Sequence, residues 1–166
     1  MPAKTPFLAA AALFASALAA HAEPSRIQQF DDWGVYSYAS ASGTVCYALS
    51  MPTKMEPAGI DHGKNYFLVS PAGGKGGGFV PEAVMGYPLK VGGPVAVSVG
   101  ETRFAMVAKD NAAWVQSEAQ EPALVAALQG GSDMTVSATS KRGTATRYTY
   151  SLSGISAALK KVAACP

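Results

Sequence analysis

Apolar and polar positions alternate with period two along much of this chain, and the alternation is clearest over residues 30–51, FDDWGVYSYASASGTVCYALSM. In its first half Trp33 and Val35 share one face, while Tyr36 and Tyr38 share the other. After a turn of small residues, Val45, Tyr47 and Leu49 fall on one face and Cys46 and Ala48 on the opposite one. This is the pattern of a β-hairpin. A two-stranded ribbon is marginal in water by itself, so the rest of the chain must supply layers that cover it.

The chain before the hairpin, residues 23–32, is a polar lead-in. After it, residues 51–63 carry two prolines, two glycines and an Asp-His-Gly turn, and read as a loop. Residues 64–70, KNYFLVS, have the continuous apolar centre of a buried strand. Five glycines in the eight residues 71–78 then predict a loop with little to pack, in which Lys75 is the natural point of proteolytic entry. Residues 79–87 resume strand character, with Pro81 arguing for an edge or entry position. Val95, Val97 and Val99 alternate with small residues, Gly100-Glu101 turns the chain, and residues 102–107 return it. A further turn at Lys109-Asp110-Asn111 leads to a short strand bearing Trp114. The period then changes. A helix beginning near Ser117 or Glu118 has Pro122 in its first turn, Leu124 and Leu128 stacked, and Gly130-Gly131 as its stop. Residues 134–139 and 144–152 form a last hairpin, and Ser153 is positioned to cap a closing helix with Ile155, Leu159 and Val162 in one stripe. About nine short strands without βαβ alternation predict a mostly β fold: an antiparallel β-sandwich, or a partly closed barrel, with two short helices, the second at the C-terminus.

The first 22 residues stand apart from this pattern. Lys4 gives a positive start, an Ala- and Leu-rich run follows, and Ala20-His21-Ala22 fits a small-x-small cleavage site. The apolar run is shorter than the ~20 residues of a spanning helix. These features predict a signal peptide over residues 1–22, a mature chain beginning at Glu23, and one domain over residues 23–166. No second apolar run in the sequence reaches spanning length. The mature chain holds 12 basic and 11 acidic residues, too even a balance for a nucleic-acid or anionic-membrane footprint. Both cysteines, Cys46 and Cys165, lie in the mature chain. In an oxidising compartment an even pair predicts one disulfide, and closing so long a loop is worth at most roughly 5 kcal/mol by chain entropy. Export to a periplasm or beyond is the address that leader and cysteines imply together.

Candidate chemistry is sparse. His62 is the one histidine of the mature chain, so nucleophilic or acid–base catalysis by an imidazole would have to use it, with Asp61 beside it. Its Pro- and Gly-rich surroundings predict an exposed turn residue instead. Metal binding at Asp61 and His62 would need further ligands. Gly63-Lys64-Asn65 lacks both the leading glycine and the Ser/Thr of a phosphate loop. Asp31 and Asp32, adjacent on an extended segment, point to opposite faces and cannot flank one scissile bond. The expectation is no catalytic residue, no metal and no cofactor. The tyrosines and tryptophans are expected chiefly in the core, with a recognition face or groove as their other use.

A resemblance sharpens this picture. Phe30, Asp32, Trp33 and Val35 in the order Phe-x-Asp-Trp-x-Val, then Cys46-Tyr47, Gly86-Tyr87-Pro88 and residues 150–159, YSLSGISAAL, resemble the invasion-associated locus B family of proteobacteria. The likeness runs over about residues 28–165. It implies an exported, periplasmic or surface-associated β-sandwich, linked in some pathogens to entry into host cells, with no catalytic residues to carry over. Many members have a cysteine four residues after the motif tryptophan. Ser37 stands there in this chain, which implies a simpler disulfide pattern. The favoured function is a non-enzymatic envelope or surface binding module whose partner is an envelope protein, a host protein or a small ligand. A small hydrolase or lyase using His62 with a carboxylate, and a chaperone-like or ligand-carrying sandwich, are the alternatives.

Overall fold

The computed structural model describes residues 23–41, 43–73 and 77–165. The leader predicted over residues 1–22 and the expected cleavage point at Lys75 lie outside the described residues. The chain forms β1 (Ser25–Phe30), β2 (Trp33–Ser40), β3 (Gly43–Ser50), β4 (Lys54–Glu56), β5 (Tyr66–Pro71), β6 (Phe79–Val84), β7 (Val95–Val99), β8 (Thr102–Lys109) and β9 (Ala112–Val115). Helix α1 (Glu121–Gly130), β10 (Asp133–Thr139), β11 (Ala145–Ser151) and helix α2 (Ile155–Ala163) complete it. All eleven strands join one antiparallel sheet in the order β1-β2-β3-β5-β6-β9-β8-β7-β10-β11-β4. The sheet is not closed. Its two ends fold toward each other, so that Phe67 on β5 packs edge-on to Tyr150 on β11 with ring centroids 6.0 Å apart.

Period two does the sorting. Trp33, Val35, Cys46 and Ala48 of the β2–β3 hairpin face inward and are buried. They meet Phe67 and Val69 of β5, Met134 and Val136 of β10, and Tyr148 and Tyr150 of β11. The two helices plug the same interior: Leu124 and Leu128 from α1, and Ile155, Leu159 and Val162 from α2, are all buried in it. Trp33 ties the halves together, because its indole Nε1–H donates to the Ser151 carbonyl at 3.0 Å. The Cys46–Cys165 disulfide holds the chain just beyond α2 against β3.

Two strands appear where loops were expected. Residues 23–32 contain β1, which pairs with β2 around the turn Asp31-Asp32. An edge strand whose side chains are exposed from Ser25 to Gln29 has no apolar face to alternate, which is why it reads as a polar lead-in. Within residues 51–63, β4 pairs Lys54, Met55 and Glu56 with Thr149, Tyr148 and Arg147 of β11. Three residues are too few for a period. The Pro81 expectation holds only locally: β6 lies inside the sheet, but it meets β9 from Glu82 to Val84 alone, so Pro81 has a neighbouring strand on one side.

Ser153 does not cap α2. Its hydroxyl donates to Asp31 Oδ2 at 3.0 Å, and Gly154 takes the N-cap position with φ +91°. A side chain there would be strained by the left-handed backbone and would also run into the Phe30 carbonyl. Gly143 has the same φ in the open β10–β11 turn, with nothing near its missing Cβ. Gly154→Ala is therefore expected to cost about 2–4 kcal/mol of unfolding free energy, against about 1 kcal/mol for Gly143→Ala, measured by urea denaturation.

Candidate functional site

His62 is buried, not exposed. The cause is the loop that carries it. Pairing of β4 with β11 draws residues 51–63 across the end of the sandwich. Gly63, at φ +61°, then packs backbone to backbone on Gly86. Asn65 locks the junction: its Nδ2–H donates to the His62 carbonyl at 2.9 Å, and its Oδ1 accepts from the Gly86 N–H at 3.1 Å. The imidazole is fixed at both ends. Nε2 lies 2.9 Å from the Pro57 carbonyl, which can only accept, so this nitrogen carries a proton. Nδ1 lies 2.9 Å from the Tyr148 hydroxyl. From there the contacts continue to Tyr87 (3.1 Å), to Thr146 Oγ1 (2.6 Å) and to the Ala138 carbonyl (3.2 Å).

This chain of groups holds shape better than it moves protons. Asp61 turns away from the imidazole, its Oδ1 accepting from the Gly63 N–H at 2.8 Å, so the adjacent pair forms no catalytic dyad. Burial, followed by the neighbouring Tyr87 hydroxyl, pushes the Tyr148 hydroxyl well above its ordinary range, which keeps it neutral and poorly nucleophilic. No cluster of three His, Cys, Asp or Glu side chains suited to a metal occurs among the described residues. Beside the network opens a cleft of about 810 Å³, whose lining includes Ile60, His62, Tyr87, Pro88, Lys141 and Arg142.

A second candidate lies on the outside of the sheet. Cross-strand pairing sets Leu49 beside Leu68, Leu68 beside Glu82, Glu82 beside Trp114, and Trp114 beside Val107. Next to this row, Tyr47 stacks on Tyr36 at 5.7 Å and meets Tyr38 edge-on at 6.2 Å. These outward side chains stay partly or fully exposed, because both helices pack inside. The outer surface of β7, β10 and β11 is different in kind, carrying Ser98, Thr135, Ser137, Arg147 and Thr149. Glu82 is the one carboxylate in the apolar row. Burial raises its carboxyl above the usual value, partly offset by a hydrogen bond from Trp114.

The motif residues proved structural. Trp33 and Val35 are fully buried, and Phe30 is partly buried against the core. Asp32, in the β1–β2 turn, donates its backbone N–H to the Ser153 carbonyl at 3.3 Å. Cys46 and Cys165 are bonded to each other. Sequence reasoning missed Asn65, whose only signal is an amide two residues after a glycine at the mouth of a strand.

The model of the family described as "Invasion associated locus B (IalB) protein" matches residues 33–163. The chain belongs to the IalB family. The crystal structure of invasion associated protein b from Bartonella henselae superposes with a TM-score of 0.58 at 16% identity, covering 82% of this chain and 95% of that one. At that identity the likeness establishes a shared IalB fold. No curated protein sequence matches the chain.

Three substitutions test this account. Tyr148→Phe leaves His62 Nδ1 and the Tyr87 hydroxyl short of a partner and should cost about 1–3 kcal/mol in denaturant titrations. Tyr150→Phe should be neutral or stabilising, since the Tyr150 hydroxyl is buried without a partner among the described residues. For Glu82, the folded carboxyl sits above its unfolded value, so its contribution is favourable below the unfolded pKa and is lost as pH rises through the folded one. Glu82→Gln should accordingly raise the thermal midpoint at neutral pH, and the gain should fade at about pH 4 and below.

Proposed function

We propose that this IalB-family protein is an exported, non-enzymatic binding module of the cell envelope or surface, cut after Ala22 to leave one domain over residues 23–166. It engages a macromolecular partner through the outer face of β2, β3, β5, β6, β9 and β8. The observation that carries this reading is the contrast between the two outer surfaces, one aromatic and aliphatic, the other lined by Ser, Thr and Arg. An uncovered apolar row rimmed by tyrosines is the composition of a recognition surface. The Cys46–Cys165 bond supports an oxidising address. The solved relative is called an invasion associated protein, and a part in host-cell association is the corresponding role for this chain. The alternative of a hydrolase or lyase gains nothing from His62, whose nitrogens are both engaged and whose neighbouring carboxylate faces a backbone amide.

Co-sedimentation of mature protein with washed envelope fragments tests the proposal, alongside a broad hydrolase screen. Wild type should pellet with the fragments without turning over any ester, peptide or glycoside. A Tyr47→Asp/Leu68→Asp variant should stay in the supernatant with its thermal transition still cooperative. Full retention by that variant, or a turnover lost on Tyr148→Phe, would overturn it.

A further inference from the structure

The cleft beside His62 lies apart from the aromatic outer face and has a chemistry of its own. One of its walls is the β10–β11 turn, which the backbone fixes with unusual completeness. Within the turn, the Ser140 N–H donates to the Thr144 carbonyl at 2.9 Å and the Gly143 N–H to the Ser140 carbonyl at 2.8 Å. Ser140 Oγ accepts from the Thr144 N–H at 3.1 Å. The turn is also lashed to residues 88–90: the Lys141 N–H donates to the Pro88 carbonyl at 2.8 Å, and the Lys90 N–H to the Thr139 carbonyl at 2.9 Å. The backbone that bears two consecutive cations, Lys141 and Arg142, is therefore fixed, and both residues line the cleft. Among the described residues neither has an ion-pair partner; the single salt bridge joins Lys54 and Glu56. Asp61 is the one carboxylate on the lining, and one of its oxygens is taken by the Gly63 N–H. Asp110 borders a neighbouring recess shared with Lys141.

Part of the lining is apolar. Ile60 is 46% exposed, and Tyr87 and Pro88 line the cleft with it. The Tyr87 and Thr146 hydroxyls of the lining are engaged within the hydrogen-bond chain from His62 to the Ala138 carbonyl. A concave site of about 810 Å³ that joins apolar side chains to two cations has the size and make-up of a small-molecule pocket. Two cations are too few to track a nucleic-acid backbone or an anionic membrane. They suffice for one sulfonate, carboxylate or phosphate head, with arginine giving the bidentate contact.

We propose that this cleft is a binding site for an amphipathic organic anion, its apolar body against Ile60, Tyr87 and Pro88 and its anionic head between Lys141 and Arg142.

The probes are 8-anilinonaphthalene-1-sulfonate and N-phenyl-1-naphthylamine, which share a ring system but differ in the sulfonate. Fluorescence titration of mature protein should give one site for the sulfonate, with amide shifts confined to residues 60–63, 86–88 and 140–146. Lys141→Ala/Arg142→Ala should weaken the sulfonate about tenfold and leave the neutral amine within about twofold, since only the charged contacts are removed. Ile60→Asp, at an exposed position, should weaken both. Tyr47→Asp/Leu68→Asp should change neither, which keeps this site separable from the outer face. Absence of sulfonate binding, equal binding of the two probes, shifts centred on residues 36–49, or an unchanged affinity in the double alanine variant would each overturn the proposal.

Discussion

One indole joins the two ends of this sheet. Trp33 lies on β2, near one edge of an open eleven-stranded sheet, and its Nε1–H bonds to a carbonyl of β11, near the other edge. An open sheet with one apolar face has to bury that face, and folding the sheet across itself does so without closing the hydrogen-bond ladder. The indole suits the crossing point because it brings a large apolar body and one donor that can reach a backbone acceptor. Phe67 meets Trp33 edge-on at 6.4 Å and Tyr150 at 6.0 Å, so a line of aromatic contacts runs from one layer into the other. The helices then occupy the interior that the fold-back leaves, which is why both contribute aliphatic stripes to one core.

That arrangement decides what is left for function. With both helices spent on the inside, one outer surface keeps its apolar and aromatic side chains uncovered. The end of the sandwich, crossed by the His62 loop, closes around hydroxyls and leaves a cleft under a rigid basic turn. His62 thus serves the architecture. It holds β11, through Tyr148, to the loop after β4, through the Pro57 carbonyl.

The inward and outward faces of β2, β3, β7, β10 and β11 were legible because apolar residues recur at two-residue spacing in each. The α2 stripe was legible for the same reason at helical period. What could not be read followed from weak or absent periodicity. β1 is polar on both faces, β4 is too short, and Ser153 had a carboxylate partner 122 positions away that no local rule can find. The burial of His62 depends on two glycines meeting across 23 positions and on the amide of Asn65 between them. The outer row from Leu49 to Val107 is likewise a product of register across five strands. Each of its residues taken alone looks like an ordinary strand residue.

The Cys46–Cys165 bond has a consequence beyond the fold. It encloses all but the first strands of the described chain in one covalent ring of 119-residue separation. A peptide bond cut anywhere inside that ring opens it without releasing either piece, so both fragments stay in one molecule. Such a molecule keeps its two pieces covalently joined for as long as the disulfide stays oxidised. The β2–β3 hairpin, most of it upstream of the ring and its end from Cys46 within it, would still carry the tyrosine cluster after the cut.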